Sequence, residues 1–175
     1  MSAPSRQRSL KDILKHLVSL VLPFTVLIIV PALIEPQRAF ASRLQLAAGV
    51  LLLLVGLFLL VVTIASFVTI GKGTLAPWSP TQHLVVSGMY TYVRNPMILG
   101  VIVVLLGEAL ALRSWPIFVW AVFVYVINTI YFMFSEEPGL EKRFGEEYRA
   151  YKRNVPRWLP RCTPWKPGDN RMEGQ

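Results

Sequence analysis

The stretch GMYTYVRNPMILG, residues 88–100, sets a fixed cation (Arg94), a side-chain amide (Asn95) and a proline (Pro96) at the threshold of an apolar run. Proline suits the first position of a helix, where its missing N–H would have no intrahelical partner anyway. The backbone N–H groups that follow, with the positive end of the helix dipole, favour a carboxylate or another polar ligand. Arg94 by itself reads equally as a positive anchor beside a membrane span. Further on, Glu136 and Glu137 close another apolar run in the sequence SEEPG. A carboxylate at a membrane surface binds hydroxyls or a cation; if a new helix starts at Pro138, the pair are also ordinary first-turn acids. His16 and His83 are too few and too far apart to argue for a metal site, and none is expected. The single cysteine, Cys162, supports neither an intramolecular disulfide nor a cysteine zinc site.

The elements that position these groups follow from composition. Of 175 residues 54% are hydrophobic and 16% charged, with a net charge of +8. Ordinary globular domains carry roughly a quarter charged residues, so this is an apolar body with basic margins, a membrane composition with no nucleic-acid partner expected. Apolar blocks at 17–34, 44–70, 97–112 and 115–134 are read as transmembrane helices. Three of them reach the length needed for a hydrocarbon core of about 30 Å, and the second is long enough to tilt. The third is short and is joined to the fourth by Arg113 and Ser114 alone, which makes the two an antiparallel hairpin. Gly100, Gly107 and Ala111 share one face of the third block and would let another helix approach closely, while Asn128 reads as interhelical glue in the fourth. The basic N-terminal segment precedes an apolar run without a small-residue cleavage site and is read as leading into a retained span.

The expected fold class is therefore all-α: a polytopic membrane protein of about four transmembrane helices with a C-terminal amphipathic cytoplasmic helix. In that helix, Leu140, Phe144, Tyr148 and Tyr151 recur at helical spacing, opposite Lys142, Arg143, Glu146, Arg149 and Arg153. Pro156 and Pro160 stop it, leaving VPRWLPR as an extended tail. Fifteen of the eighteen Lys and Arg residues fall in the N-terminal tail, the 71–95 loop and the C-terminal region. Because basic short loops stay cytoplasmic, both termini and both large polar regions are placed there. A loop as long as 71–95 usually has a function of its own.

The ordered set LVVSGMYTYVRNPMILG, a helical hairpin, then EEPGLEKRFGEEYRAYKRNVPRWLPR resembles the isoprenylcysteine carboxyl methyltransferase and phospholipid methyltransferase group of integral membrane enzymes. Their pattern is approximately G-x-Y-x-x-x-R-H-P-x-Y-x-G, then E-E-x-x-L-x-x-x-F-G-x-x-Y-x-x-Y-x-x-x-V-P. The resemblance covers about residues 82–160 and divides the chain into a tail with two spans (1–70), a methyltransferase core (71–160) and a polar tail (161–175). It implies methyl transfer from S-adenosylmethionine, held on the cytoplasmic side, to a lipophilic membrane-borne acceptor arriving from the bilayer; oligomeric state stays open. By resemblance the cofactor contacts map to Gln82, His83, Leu84, Val85, Tyr90, Asn95, Pro96, Met97, Ile98 and Glu136, and the catalytic residues to Arg94 and Glu136. The chemistry suits these positions. The cofactor's carboxylate matches the helix start at Pro96, its diol or ammonium matches Glu136, and its adenine or sulfonium matches the face of Tyr90.

Three positions depart from the pattern: Asn95 stands for histidine, Ile98 for tyrosine, and Tyr131, Phe132 and Met133 where isoprenylcysteine enzymes carry an acceptor-binding arginine. No committed base is visible, which favours an acceptor that is already anionic. Two other readings remain at this stage. One is an NADPH-dependent membrane reductase of the sterol reductase type, whose R-D and K-Y-G-x-x-W segments this chain replaces with Glu136-Glu137 and Phe144-Gly145-Glu146-Glu147-Tyr148. The other is a non-enzymatic scaffold whose basic tail binds anionic lipids.

Overall fold

In a computed structural model the chain is described over residues 21–35, 42–70, 84 and 86–166, with Phe67 to Ile70 as backbone alone. Gln82, His83 and Val85 therefore lie outside the described residues. All regular structure among those residues is helical: α1 (Val21–Ile34), α2 (Arg43–Ile70), a 3-10 turn (Gly88–Thr91), α3 (Pro96–Ala111), α4 (Trp115–Tyr131) and α5 (Glu137–Asn154). Two helices are long and apolar enough to cross a membrane, α2 and the continuous helical run that begins at Trp115, while α1 and α3 are shorter apolar helices.

Helices α2 and α3 meet backbone to backbone. A Cβ added to Gly49 would fall 2.7 Å from Ala111 N, and one added to Gly107 would fall 2.8 Å from Leu53 N. Gly56 and Gly100 repeat the contact one level along, so residue numbers rise on α2 as they fall on α3, and the helices are antiparallel. Where lipid removes the hydrophobic drive between helices, close approach of small residues gains the dispersion contact that holds them. Leu60, Val101, Val104, Leu105, Ala121 and Val124 fill the core where α2, α3 and α4 converge.

The α3–α4 link is Leu112, Arg113 and Ser114, with Arg113 in the left-handed region at φ 49°. Ser114 caps α4 by accepting from Ile117 N and donates from Oγ to Glu35 at 2.6 Å, which ties the end of α1 to the hairpin. Asn128 does not bridge helices: its amide donates to Val124 O in its own helix at 2.8 Å. The deep turn of an α-helix offers that carbonyl one turn back, closer than any partner on a neighbouring helix.

Pro138 does not end the helix that contains it. Residues Phe132–Glu136 form a π turn, in which Glu137 N donates to Phe132 O, so the helix runs from Trp115 into α5 without a break. In that register the next carbonyl, of Met133, would look to position 138, where proline has no N–H to offer. The wider turn thus absorbs both the missing donor and the ring's clash with the preceding turn. The same device recurs in α1, where Thr25–Ile29 is a π turn followed by Pro31. Val26 O, left without a backbone donor by Pro31, accepts from Trp120 Nε1 at 3.0 Å. Within α5 the chain bends at Gly145, whose φ of 55° and ψ of −126° would strain any residue bearing a Cβ.

Beyond α5 the segment Val155 to Trp165 folds back onto the residues that precede α3. Arg94 N donates to Pro156 O, Arg161 N to Tyr92 O and Trp165 N to Thr91 O, all at 2.9 to 3.0 Å. Tyr148, Tyr151, Val155 and Trp165 form a second apolar cluster against which Leu84, Val86, Leu140 and Phe144 pack. The aromatic stripe of α5 thus faces the 84–95 segment and the chain's own C-terminal segment, while Trp158 meets Tyr125 at a tilt and Phe132 edge-on near the end of α4.

Candidate functional site

Two stretches distant in sequence converge at the end of the α2–α4 bundle. Phe134, in the π turn after α4, is the last of the apolar run; Trp115 to Phe134 measures about 30 Å at 1.5 Å per residue, so Glu136 and Glu137 stand just past it. Arg94 reaches across to Glu137, NH1 to Oε1 at 2.9 Å, with 11% and 5% of the two side chains exposed. Beside this pair lies a cavity of about 70 Å³. Leu84, Tyr90, Arg94 and Asn95 line it from the first stretch, and Phe132, Glu136, Glu137, Leu140, Tyr148 and Tyr151 from the second.

The two adjacent glutamates have different surroundings. Glu137 is an ion-pair centre: Arg157 Nε and Arg94 NH1 donate to Oε1 at 2.7 and 2.9 Å, and Lys152 Nζ lies 3.3 Å from Oε2. Burial alone would raise its carboxyl, but hydrogen bonding from Arg157 and the charges of Arg94 and Arg157, with Lys152, hold it below the usual carboxylate range. Glu136 makes no ion pair among the described residues. Burial, reinforced by the charge of Glu137, pushes its carboxyl up from 4.5 to about 7. Desolvation and a neighbouring like charge both disfavour the ionised form, so a cationic ligand in the cavity would meet a group ready to ionise.

Three tyrosines frame the acid, and each stays protonated. Tyr90 is raised by burial and then by the charge of Glu136, Tyr148 is raised to about 12 by burial and the charge of Glu137, and Tyr151 is raised chiefly by burial. Tyr151 donates to Tyr90 O at 2.7 Å, which fixes the 3-10 turn over α5. At the start of α3, Asn95 takes φ −122° and ψ 59° and its side chain does not cap the helix. With Pro96 lacking an N–H and Leu99 N already bonded to Asn95 O, the N–H groups of Met97 and Ile98 have no intrahelical acceptor.

Of the residues singled out in the sequence, Leu84, Tyr90, Arg94, Asn95 and Glu136 line the one cavity. Pro96 starts α3 fully buried, and Met97 packs on the core shared with α2 and α4; neither lines the cavity. Ile98 is half-buried and does not line the cavity. Sequence reasoning named Glu137 only as one of the acidic pair and gave no site role to Lys152 or Arg157. Nothing local marks which of many C-terminal cations would reach the acid.

The phospholipid methyltransferase family matches residues 44–147, from the start of α2 to the middle of α5. A 74-residue stretch is 34% identical to a phosphatidylethanolamine N-methyltransferase of Phaeosphaeria nodorum, covering 41% of this chain and 8% of that protein. A 38-residue stretch is 50% identical to an uncharacterised protein of Haemophilus influenzae, covering 22% of this chain and 59% of that protein. The matched stretches thus span less than two thirds of either relative's length. No solved structure matches. With more than half of its residues covered, including the ion-paired turn before α3 and the acidic pair after α4, this chain belongs to the phospholipid methyltransferase family.

Proposed function

We propose that this protein transfers a methyl group from S-adenosylmethionine to the amine of a membrane-lipid headgroup, with Glu136 accepting the proton that the amine must lose. The reading rests on one observation: two adjacent carboxylates at the end of the apolar bundle are held differently, one ion-paired to three cations and the other on a cavity with no ion pair among the described residues. An ammonium is drawn to the unpaired acid, and a base matched to neutral pH transfers protons most effectively. The relative's printed activity, N-methylation of phosphatidylethanolamine, favours an amine over the anionic acceptor that the sequence suggested.

The donor set fits the cofactor's ends. The N–H groups of Met97 and Ile98, which lack an intrahelical acceptor, with the Asn95 amide, suit its carboxylate, and the face of Tyr90 suits its sulfonium or adenine. S-adenosylmethionine, when bound, supplies an electrophilic methyl group on a positively charged sulfur. Leu84, Phe132 and Leu140 exclude water beside that position, and Arg94, locked by Glu137 and by Pro156, holds the 90–95 turn in register with the acid. In this reading α1 to α4 are four spans, α5 is an amphipathic helix at the cytoplasmic surface and both termini are cytoplasmic. The methyltransferase core then covers the 71–160 region together with the packed residues to Trp165.

Full-length protein in nanodiscs, given methyl-labelled cofactor, should label an amine-bearing lipid. Its rate should rise as pH increases through about 7, the region where Glu136 ionises. Glu136→Gln should slow transfer by about 10²- to 10⁴-fold and remove that rising limb. Wild-type rate in the Gln variant, or a limb that survives in it, rejects the base. No labelled lipid at all rejects the activity.

A further inference from the structure

The ion-pair centre at Glu137 holds more positive charge than it needs. Arg94, Lys152 and Arg157 converge on one carboxylate, an excess of two cations in a partly buried place. Glu141 offsets the excess only in part: its Oε1 accepts from Arg149 at 2.8 Å, and its Oε2 makes a long ion pair with Lys152 at 3.9 Å. The donors are also underused. Arg94 Nε is buried without a hydrogen-bond partner among the described residues, and Arg94 itself lines the cavity. Arg157 engages Glu137 through Nε, which leaves the terminal fork of a guanidinium, the geometry suited to two oxygens of one anion. A buried donor without an acceptor is unfavourable in a native structure and calls for an explanation such as a ligand.

We infer that Arg157 and Lys152, with Arg94 behind them, form a subsite for the phosphate of the acceptor lipid, so that the C-terminal segment selects phosphate-bearing headgroups. The inference rests on the proposed methyl transfer and adds the residues that choose its acceptor. Geometry supports it: Arg94, Glu136 and Glu137 line one cavity, and Lys152 and Arg157 bond to the carboxylate of Glu137, so an anion at the cation cluster and an ammonium at Glu136 would be neighbours, as they are in a zwitterionic headgroup. The accessible part of the cluster is on the tail side, with Lys152 40% and Arg157 21% exposed against 11% for Arg94. Both tail-side residues lie beyond residues 44–147, the stretch matched by the family model.

The test compares binding of two short-chain amine lipids to the full-length protein in detergent: a phosphatidylethanolamine and a matched primary amine that lacks the phosphate. Wild type should bind the phospholipid at least tenfold more tightly. Lys152→Gln, at a half-exposed position, and Arg157→Gln should each remove most of that preference, leaving the phosphate-free amine and S-adenosylhomocysteine bound as in wild type, which also reports that the variants are folded. Arg157→Lys should restore the preference only in part, because it returns the charge without the fork. Equal binding of the two amines by wild type, or equal loss of both in the variants, overturns the subsite. Loss of S-adenosylhomocysteine instead assigns the cations to the cofactor carboxylate, and saturable binding of inorganic phosphate that the lipid cannot displace assigns them to a free ion; either outcome overturns the lipid subsite. A phospholipid preference without methylation of either amine would retain the subsite and defeat the proposed reaction.

Discussion

Glu136 and Glu137 differ by one position and are expected to respond in opposite ways to removal. Deleting the Glu137 carboxylate strands Arg94, Arg157 and Lys152 around a partly buried space, and breaking a buried pair from one side costs about 3–5 kcal/mol. Glu137→Ala should therefore lower the melting temperature strongly, and an unchanged melt would show that the cations are held by something else. Glu136 has its carboxyl raised from 4.5 to about 7, so the folded state retains a proton that the unfolded chain has already released. The stability this lends is present below about pH 4.5 and lost as pH rises through about 7, an effect on the order of 3 kcal/mol if the shift is fully realised. Glu136→Gln should flatten the decline of melting temperature between pH 5 and 8, taken as about those limits. The groups that face Glu136 across this window are Tyr90 and Arg94 from the 84–95 stretch and Glu137 and Tyr148 from α5, and the tyrosines do not titrate within it.

Elements decide where those residues stand. The π turn at Phe132–Glu136 lets one helix pass through Pro138, so the acids are fixed to the end of α4 by continuous backbone and not by a flexible link. The glycine contacts set the other half of the site, because α3 carries Arg94 and Asn95 at its N-terminal edge and is seated on α2 at backbone distance. Replacing Gly107 by valine would force atoms into Leu53 N and Gly49 O, which stand 2.8 and 2.9 Å from the new Cβ. Both obstacles are backbone, which cannot swing aside, so the helices must part. Gly107→Val should destabilise the fold by about 1–3 kcal/mol or more. Thermal melting in detergent checks this, and a variant as stable as wild type would show that the helices do not meet at that glycine.

At the scale of the whole molecule, one side of the bundle holds the cavity and the other a tie. Ser114 and Glu35 close the side away from the cavity, and the 84–95 segment, α5 and the C-terminal strap close the side that holds it. The segment Val155 to Trp165 makes three backbone hydrogen bonds with the turn before α3, so the chain from Pro156 onward braces the turn that carries Arg94. Its exposed Cys162 is the chain's single cysteine and a natural topological probe. In intact cells an impermeant maleimide should leave it unlabelled, and permeabilised cells should label it fully. Labelling from outside would invert the proposed orientation.

Much of this was legible in the residues. Apolar runs, the two-residue hairpin link, the small-residue face of α3 and the aromatic stripe of α5 are local patterns, fixed by helical periodicity and by which side chains can leave water. Two things were not legible. Pro138 reads as a helix start because a linear rule sees its missing N–H, whereas the observed chain widens one turn and continues. The division between Glu136 and Glu137 is equally invisible in a repeated letter, since it depends on Arg94, Lys152 and Arg157 arriving from positions far along the chain. Sequence fixes which groups can be charged and which faces must be covered; only the folded arrangement decides which acid is neutralised by cations and which is left facing a cavity, because Coulomb energy and desolvation depend on distances in space and not on spacing along the chain.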